Sequence, residues 1–249
     1  MTSKRKNVLA IAYACDPYRG SEEGVGWGWL NMLAQKHDVT CITELSYKES
    51  IERYQAETDT PLPIKFHYLE HQWNTSLGKF RRVVWIMHFV ITYRKWQKEA
   101  YELGKKLQDQ KPFDLCHLIT YVAYRSPGEF YKLDCPFVWG PIGGLENTSW
   151  NAMKALAFHG MLYYGLRNTI TSCERNLISA PKIAIKNTQA IISATSGIQK
   201  GIRKYYKRDS LVLSEIGMSE NPNHTFSKRG EAETLRISWS SNHDPCIAL

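Results

Sequence analysis

The chain has 249 residues, of which 43% are hydrophobic and 22% charged, enough to bury a real core in one or two domains. Its formal net charge of +8 favours a negatively charged partner: a nucleotide diphosphate, an anionic lipid or nucleic acid. The six cysteines include no C-x-x-C pair, and Cys15, Cys41 and Cys116, in or beside apolar strand-like runs, read as reduced core thiols of a cytosolic protein without a metal site.

The N-terminus imitates a lipoprotein signal. Lys4, Arg5 and Lys6 precede an apolar run from Val8 to Ala14, and Cys15 follows. The run is very short for a signal peptide and is fully explained as a first, buried strand. After it comes a stretch rich in glycine, with Pro17, Gly20, Gly24, Gly26 and Gly28, and then a helical pattern through Trp29, Leu30, Leu33 and Ala34. Strand, glycine-rich turn and helix form the opening unit of a nucleotide-binding α/β fold. The spacing is neither the dinucleotide fingerprint nor a P-loop.

The rest of the chain alternates. Val39 to Thr43 reads as a second strand, and Ser46 with Glu49 as a capping box opening a helix to about Ala56. Ile64 to Leu69 is a third strand after the Pro61 and Pro63 break. A long helical region runs from about Ser76 to Gln110, ended by Pro112, and Leu115 to Thr120 is a fourth strand. Phe137 to Trp139 is a fifth, followed by a second glycine turn at Gly143 and Gly144. Trp150 to about Asn187 is mostly helical, with Pro181 as a break or kink. Ala190 to Ala194, a basic helix capped by Ser196, and Leu211 to Leu213 complete the pattern. Such alternation predicts a doubly wound, mainly parallel α/β sheet. Ligands of these sheets bind at the C-terminal ends of the strands, where both glycine turns fall.

Three segments resemble a known family. Gly20-Ser-Glu-Glu-Gly-Val-Gly-Trp27, directly after the first strand, looks like the start of a family 4 glycosyltransferase of the two-domain GT-B architecture. His117-Leu-Ile-Thr-Tyr-Val-Ala-Tyr-Arg-Ser-Pro-Gly128 resembles that family's segment after the fourth strand. Pro136-Phe-Val-Trp-Gly-Pro-Ile-Gly-Gly144 resembles the W-G-P-x-G-G signature of one branch. The resemblance implies a Rossmann-like N-terminal domain over residues 1–217 that holds the acceptor. It implies a retaining, nucleotide-sugar-dependent transferase acting on a glycan or lipid-linked acceptor. The nucleotide sugar would be a co-substrate, with no cofactor. Residues 218–249 read as a linker and the start of a second domain. There Leu235 to Trp239 resembles that domain's first strand, and Ser241 and Cys246 stand where a glycine and a lysine are expected. The paired glutamates of the donor domain are not in this sequence, so a donor domain from another chain is one expectation, and inactivity of the chain alone another.

The resemblance and the residue types together nominate a site. Gly20, Ser21 and Gly24 could approach donor phosphates or the acceptor. Glu22 is either an acceptor for sugar hydroxyls or a first-turn carboxylate on a helix dipole. His117 is either the catalytic polar group facing the reacting sugar or a buried histidine bonded to backbone. Arg125 is a phosphate or sugar-acid ligand or a surface cation. Gly143 and Gly144 repeat the physics of the first loop. Two other functions stay open: a non-catalytic sugar- or lipid-binding module, and another nucleotide enzyme such as an NAD-dependent one, for which Glu44 is the nearest acidic residue to the clamp position. The run Val83 to Ile91, flanked by Arg81, Arg82, Arg94, Lys95 and Lys98, suits either a buried helix or one lying on the inner face of a membrane. The basic run Lys200 to Arg208 is a solvated helix face, and no recognised nucleic-acid module occurs.

Overall fold

The computed structural model describes residues 4–71, 81–154 and 156–215, with backbone alone over 81–87. Residues 218–249, and with them the expected linker, the Leu235–Trp239 strand, Ser241 and Cys246, lie outside the described residues. The start of the long helical region near Ser76 does too. The chain divides into two compact units. The first comprises Met1–Glu146 and Ile178–Ile216, and the described part of the second is Asn147–Leu177.

The first unit is built on one parallel sheet. Its strands are β1 (Asn7–Ile11), β2 (Asp38–Glu44), β3 (Ile64–Leu69), β4 (Leu115–Leu118), β5 (Phe137–Ile142), β6 (Ala190–Ser193) and β7 (Leu211–Val212). Their order is β3-β2-β1-β4-β5-β6-β7. Every pairing is parallel. The sheet is therefore wound outward in both directions from β1, as the alternation predicts. β1 is central and reads as an unbroken apolar run because it is covered on both faces; Val8, Leu9, Ala10 and Ile11 are fully buried. Ala10 pairs with Cys41 on one side and with His117 on the other. Cys15, Cys41 and Cys116 are free and buried. Burial raises all three thiols above their ordinary range.

The helices are α1 (Ser21–Ala34), α2 (Lys48–Glu57), α3 (Arg81–Gln110), α4 (Trp150–Lys154), α5 (Phe158–Leu177), α6 (Ser179–Asn187) and α7 (Ser196–Tyr206). The long α3 lies on the sheet through Tyr93, Trp96 and Ala100, all buried. This is the spacing of one helical face. Trp96 Nε1 donates to the Leu69 carbonyl at 3.3 Å. Among the described residues no helix is long and apolar enough to cross a membrane.

Four local expectations need correction. The glycine-rich stretch is not a loop: α1 begins at Ser21, so Gly24, Gly26 and Gly28 are helical. The Ser46–Glu49 capping box does not form. Glu44 accepts from the Ser46 N–H instead, over a short 3-10 turn that precedes α2. The break in the later helical region falls at Ile178, whose backbone is extended. Pro181 sits in the first turn of α6, where its missing N–H would have had no intrahelical partner. The cap of α7 is Thr195, whose hydroxyl accepts from the Ile198 N–H at 3.1 Å, one residue before the expected Ser196.

The helical glycines explain how α1 meets the sheet. A Cβ at Gly26 would run into the Ala14 carbonyl and lie 3.0 Å from the Thr120 methyl. One at Gly24 would lie 2.6 Å from the Arg19 carbonyl oxygen. Gly28 meets nothing within 4 Å and faces solvent. Two opposite outcomes follow. Gly26→Ala should cost about 1–3 kcal/mol by overpacking, a fall in Tm of several degrees. Gly28→Ala should stabilise the protein by up to about 1 kcal/mol, because it removes only the entropic cost of glycine in a helix. Paired thermal melts check both. A tolerated alanine at 26 would remove the close-packing account of α1.

Candidate functional site

The winding direction changes between β1 and β4, and it is outside the strand ends at such a switch point that open α/β sheets bind ligands. The segments leaving these two strands are joined by three contacts. The Ala14 N–H donates to Thr120 Oγ1 at 3.1 Å. Gly26 lies against the Thr120 methyl. The Glu22 carboxylate accepts the Tyr121 N–H in a short hydrogen bond. Ser21 and Tyr121 both have left-handed backbones, with φ of 59° and 53°. Non-glycine residues held there cost on the order of 1–3 kcal/mol and cluster at functional sites. Here they bracket one hydrogen bond, since Ser21 precedes its acceptor and Tyr121 is its donor.

Beside this junction opens a cavity of about 290 Å³. Glu22 and Glu215 supply its carboxylates, and Phe89, Tyr93 and Tyr121 its aromatic wall. Gly143 and Gly144 form a wall without side chains. The segments after β4 and β5 are zipped together there. The Gly143 N–H donates to Val122 O at 2.9 Å and the Tyr124 N–H to Gly143 O at 3.2 Å. Gly144 has a φ of 78°, so glycine is required at that position. A Cβ on Gly143 would point at Glu215 Oε1, 3.9 Å away.

The aromatic wall is the outer layer of a larger cluster. Tyr13 sits at its centre, with edge-to-face contacts to Tyr93, Trp96 and Tyr121 at ring separations of 5.1, 4.9 and 5.1 Å. The Tyr13 hydroxyl bonds His71 Nδ1 at 2.6 Å. Such ring pairs each contribute about 0.5–1.5 kcal/mol beyond area burial and fix the angle of the exposed faces.

Burial gives the two carboxylates unusual acidity. Glu22 is pushed above the ordinary glutamate range by loss of water, against the lowering effect of the Tyr121 N–H. Glu215 is raised by the same cause and then by the charge of Glu22. Two carboxylates with raised affinity for protons, in one cavity at the strand ends, are the kind of perturbation that marks a binding or catalytic site.

The nominated residues separate into three groups. Glu22, Gly143 and Gly144 line the cavity. Arg125 stands at its edge, with Nη1 3.5 Å from the Gly144 carbonyl and the guanidinium 4.6 Å from the centre of the Tyr124 ring. Gly20, Ser21 and Gly24 lie at the start of α1 and outside the cavity lining. His117 is 3% exposed, inside the sheet, with Nε2 2.8 Å from the Gly140 carbonyl oxygen and its ring against Trp29. Burial pulls its pKa down to about 4, so the ring is neutral and its Nε2–H donates to the Gly140 oxygen. Glu44 does not offer a ribose clamp either, because its carboxylate binds Ser46 and the His71 N–H.

Sequence reasoning missed Glu215, Phe89, Tyr93 and Tyr121. Tyr121 lay inside the quoted segment after β4. Glu215 carried no signal, being a single acid after a two-residue strand.

No protein-family model matches the chain, and no curated protein matches its sequence. Among solved structures, the chain is similar to Arabidopsis thaliana UGT89C1 complexed with UDP-L-rhamnose. The TM-score is 0.52 at 8% identity, over 89% of this chain and 56% of that one. The same plant protein complexed with quercetin gives a TM-score of 0.51 at 8% identity, over 87% and 52% of the two chains. At that identity the likeness is one of fold. The chain spans little more than half the length of the structures it matches, and its doubly wound, Rossmann-like architecture is the part they share.

Proposed function

We propose that this chain is the acceptor-side domain of a retaining, nucleotide-sugar-dependent glycosyltransferase of family 4, acting on a glycan or lipid-linked acceptor in polysaccharide or lipid-linked glycan synthesis. The observation that carries the reading is the cavity at the switch point, where two carboxylates face an aromatic wall and a bare glycine turn. A sugar ring presents hydroxyl donors at its rim and C–H groups on its faces, and this lining offers acceptors for the first and rings for the second. The fold shared with a protein that binds UDP-L-rhamnose and quercetin supports the same reading.

Each residue then has a defined task. Glu22 and Glu215 accept hydrogen bonds from acceptor hydroxyls and orient one of them outward. Gly143 and Gly144 let the ring approach the backbone. Arg125 receives an anionic group of the acceptor, as a multidentate donor. His117 is a positioning residue that holds the Gly140 carbonyl, three residues before Gly143. Transfer requires the nucleotide sugar to be held opposite, with cations or dipoles on the leaving diphosphate, because orientation and electrostatic stabilisation supply most of the rate. The resemblance assigns that part to a donor domain. No metal or cofactor enters this scheme.

Acceptor binding tests the assignment without turnover. Alkyl glycosides should bind the chain in calorimetric titrations, and Glu22→Gln should weaken them roughly three- to tenfold, since bonds to charged acceptors exceed neutral ones. Binding of a dinucleotide with no response to any glycoside would discard the transferase reading.

The carboxylates also set a pH signature. Glu215 has a raised pKa in the folded chain, so the folded state holds its proton more tightly than the unfolded one. Stability therefore falls as pH rises through the ordinary glutamate range toward the raised value, and stays lower above it. Glu215→Gln should remove that cost. Screening over the open side of the cavity keeps the gain small, about 1–2 °C in Tm near neutral pH, and it should vanish near about pH 4. A variant less stable than the parent at neutral pH would show that Glu215 is held by favourable contacts instead.

A further inference from the structure

The cavity at the switch point carries a charge opposite in sign to that of the chain. The sequence holds 32 lysines and arginines against 24 aspartates and glutamates. None of those cations lines the cavity, whereas Glu22 and Glu215 both do. Each is half-buried. Glu22 accepts a hydrogen bond from the Tyr121 N–H, and among the described residues neither carboxylate makes an ion pair. Arg125, at the edge, turns Nη1 to the Gly144 carbonyl oxygen and its guanidinium to the Tyr124 ring. A carboxylate withdrawn from water without a cation is costly, and a second carboxylate nearby adds to the cost. A positive ligand removes it.

The remaining lining narrows the kind of cation. Phe89 and Tyr93 have ring centres 5.6 Å apart, Phe89 and Tyr121 5.2 Å, and Tyr93 and Tyr121 5.7 Å. Such a group of rings attracts an organic ammonium, which also brings three N–H donors for the carboxylates. A divalent metal ion asks for a fuller set of oxygen ligands. Among the described residues no group of three or more histidine, cysteine or acidic side chains could hold one.

We propose that the acceptor held in this cavity carries a protonated primary amine, as an amino sugar without an N-acyl group does. The proposal rests on the acceptor reading of the site and names the substrate class within it. The amine is a recognition group and does not react. Its N–H groups donate to Glu215 and Glu22, and the rings stabilise its charge from the side. A hydroxyl in the same place brings one donor and no charge, so both carboxylates stay uncompensated. An N-acyl group removes the charge and brings a carbonyl oxygen toward them. The cavity therefore selects the free amine and works against its acylated form.

The test is calorimetric titration of the full chain at neutral pH and low salt with methyl glucosaminide, methyl glucoside and methyl N-acetylglucosaminide. The glucosaminide should bind at least about tenfold more tightly than either neutral glycoside, since bonds between charged partners exceed neutral ones. Glu215→Gln should cost the glucosaminide at least about threefold more than it costs the glucoside, because it removes charge and keeps shape. Glu215→Asp, which restores the charge, should keep more of the preference than Glu215→Gln. An unchanged far-UV spectrum shows that each variant retains its fold. Equal binding of glucoside and glucosaminide overturns the proposal and leaves the acceptor reading standing. No binding by any of the three overturns both. A preference that survives Glu215→Gln undiminished also overturns the proposal, as does Mn²⁺ binding that Glu215→Gln abolishes while the glucosaminide binds no tighter than the glucoside. That last result would assign the carboxylates to a metal ion.

Discussion

The site depends on one junction, the closure between the segments that leave β1 and β4. Parallel strands at a switch point send their chains in opposite directions, so an open crevice results unless something ties them. Here the tie is made of backbone and short side chains: Ala14 to Thr120, Gly26 against the Thr120 methyl, and Glu22 to the Tyr121 N–H. At Gly26 no side chain stands between α1 and Ala14, so Glu22, in the first turn of α1, reaches across to the segment that leaves β4. A side chain at Gly26 would lever the helix outward and take the carboxylate with it. The glycines therefore act on the site at one remove, by deciding where Glu22 stands.

What surrounds the junction is arranged to keep its charge in a dry place. The rings around Tyr13 form a rigid floor, and Tyr121 belongs both to that floor and to the hydrogen bond on Glu22. Burial without a cationic partner normally drives a carboxylate to take up a proton. The Tyr121 N–H works against that, so Glu22 is held between two opposing tendencies. A hydroxyl entering the cavity would add a further donor and shift the balance toward the ionised form. Binding of such a donor would therefore be linked to the proton affinity of Glu22.

Much of the fold was legible because periodicity is a property of burial, and burial dominates here. All seven strands were placed, with ends off by a few residues. The apolar run at β1 and the short runs of β4 and β5 each mark a strand covered on both sides. What failed was local. The glycines at 24, 26 and 28 suggest a loop by propensity, yet the packing of α1 on Ala14 and Thr120 outweighs the entropic cost of glycine in a helix. Capping misled by a residue or two, since the side chains that cap are Glu44, on the Ser46 N–H, and Thr195, on the Ile198 N–H. The site was half legible. Glu22, Gly143 and Gly144 sit in motifs beside strand ends. Phe89 and Tyr93 belong to a helix whose sequence reads as core, and Glu215 reaches the cavity only because of the sheet order.

That sheet order has a kinetic side. β7 has two residues and pairs with β6 through Ile192 with Leu211 and Ser193 with Val212. Its side chains are exposed, unlike those of β1. A strand with so little buried surface opens at far lower free energy than the centre of the sheet, in local excursions that leave the rest intact. Such an opening would withdraw Glu215 while Glu22 stays tied to Tyr121. An opened edge would leave the cavity singly acidic, and amide exchange at Leu213, whose N–H bonds the Ser193 carbonyl, would report it.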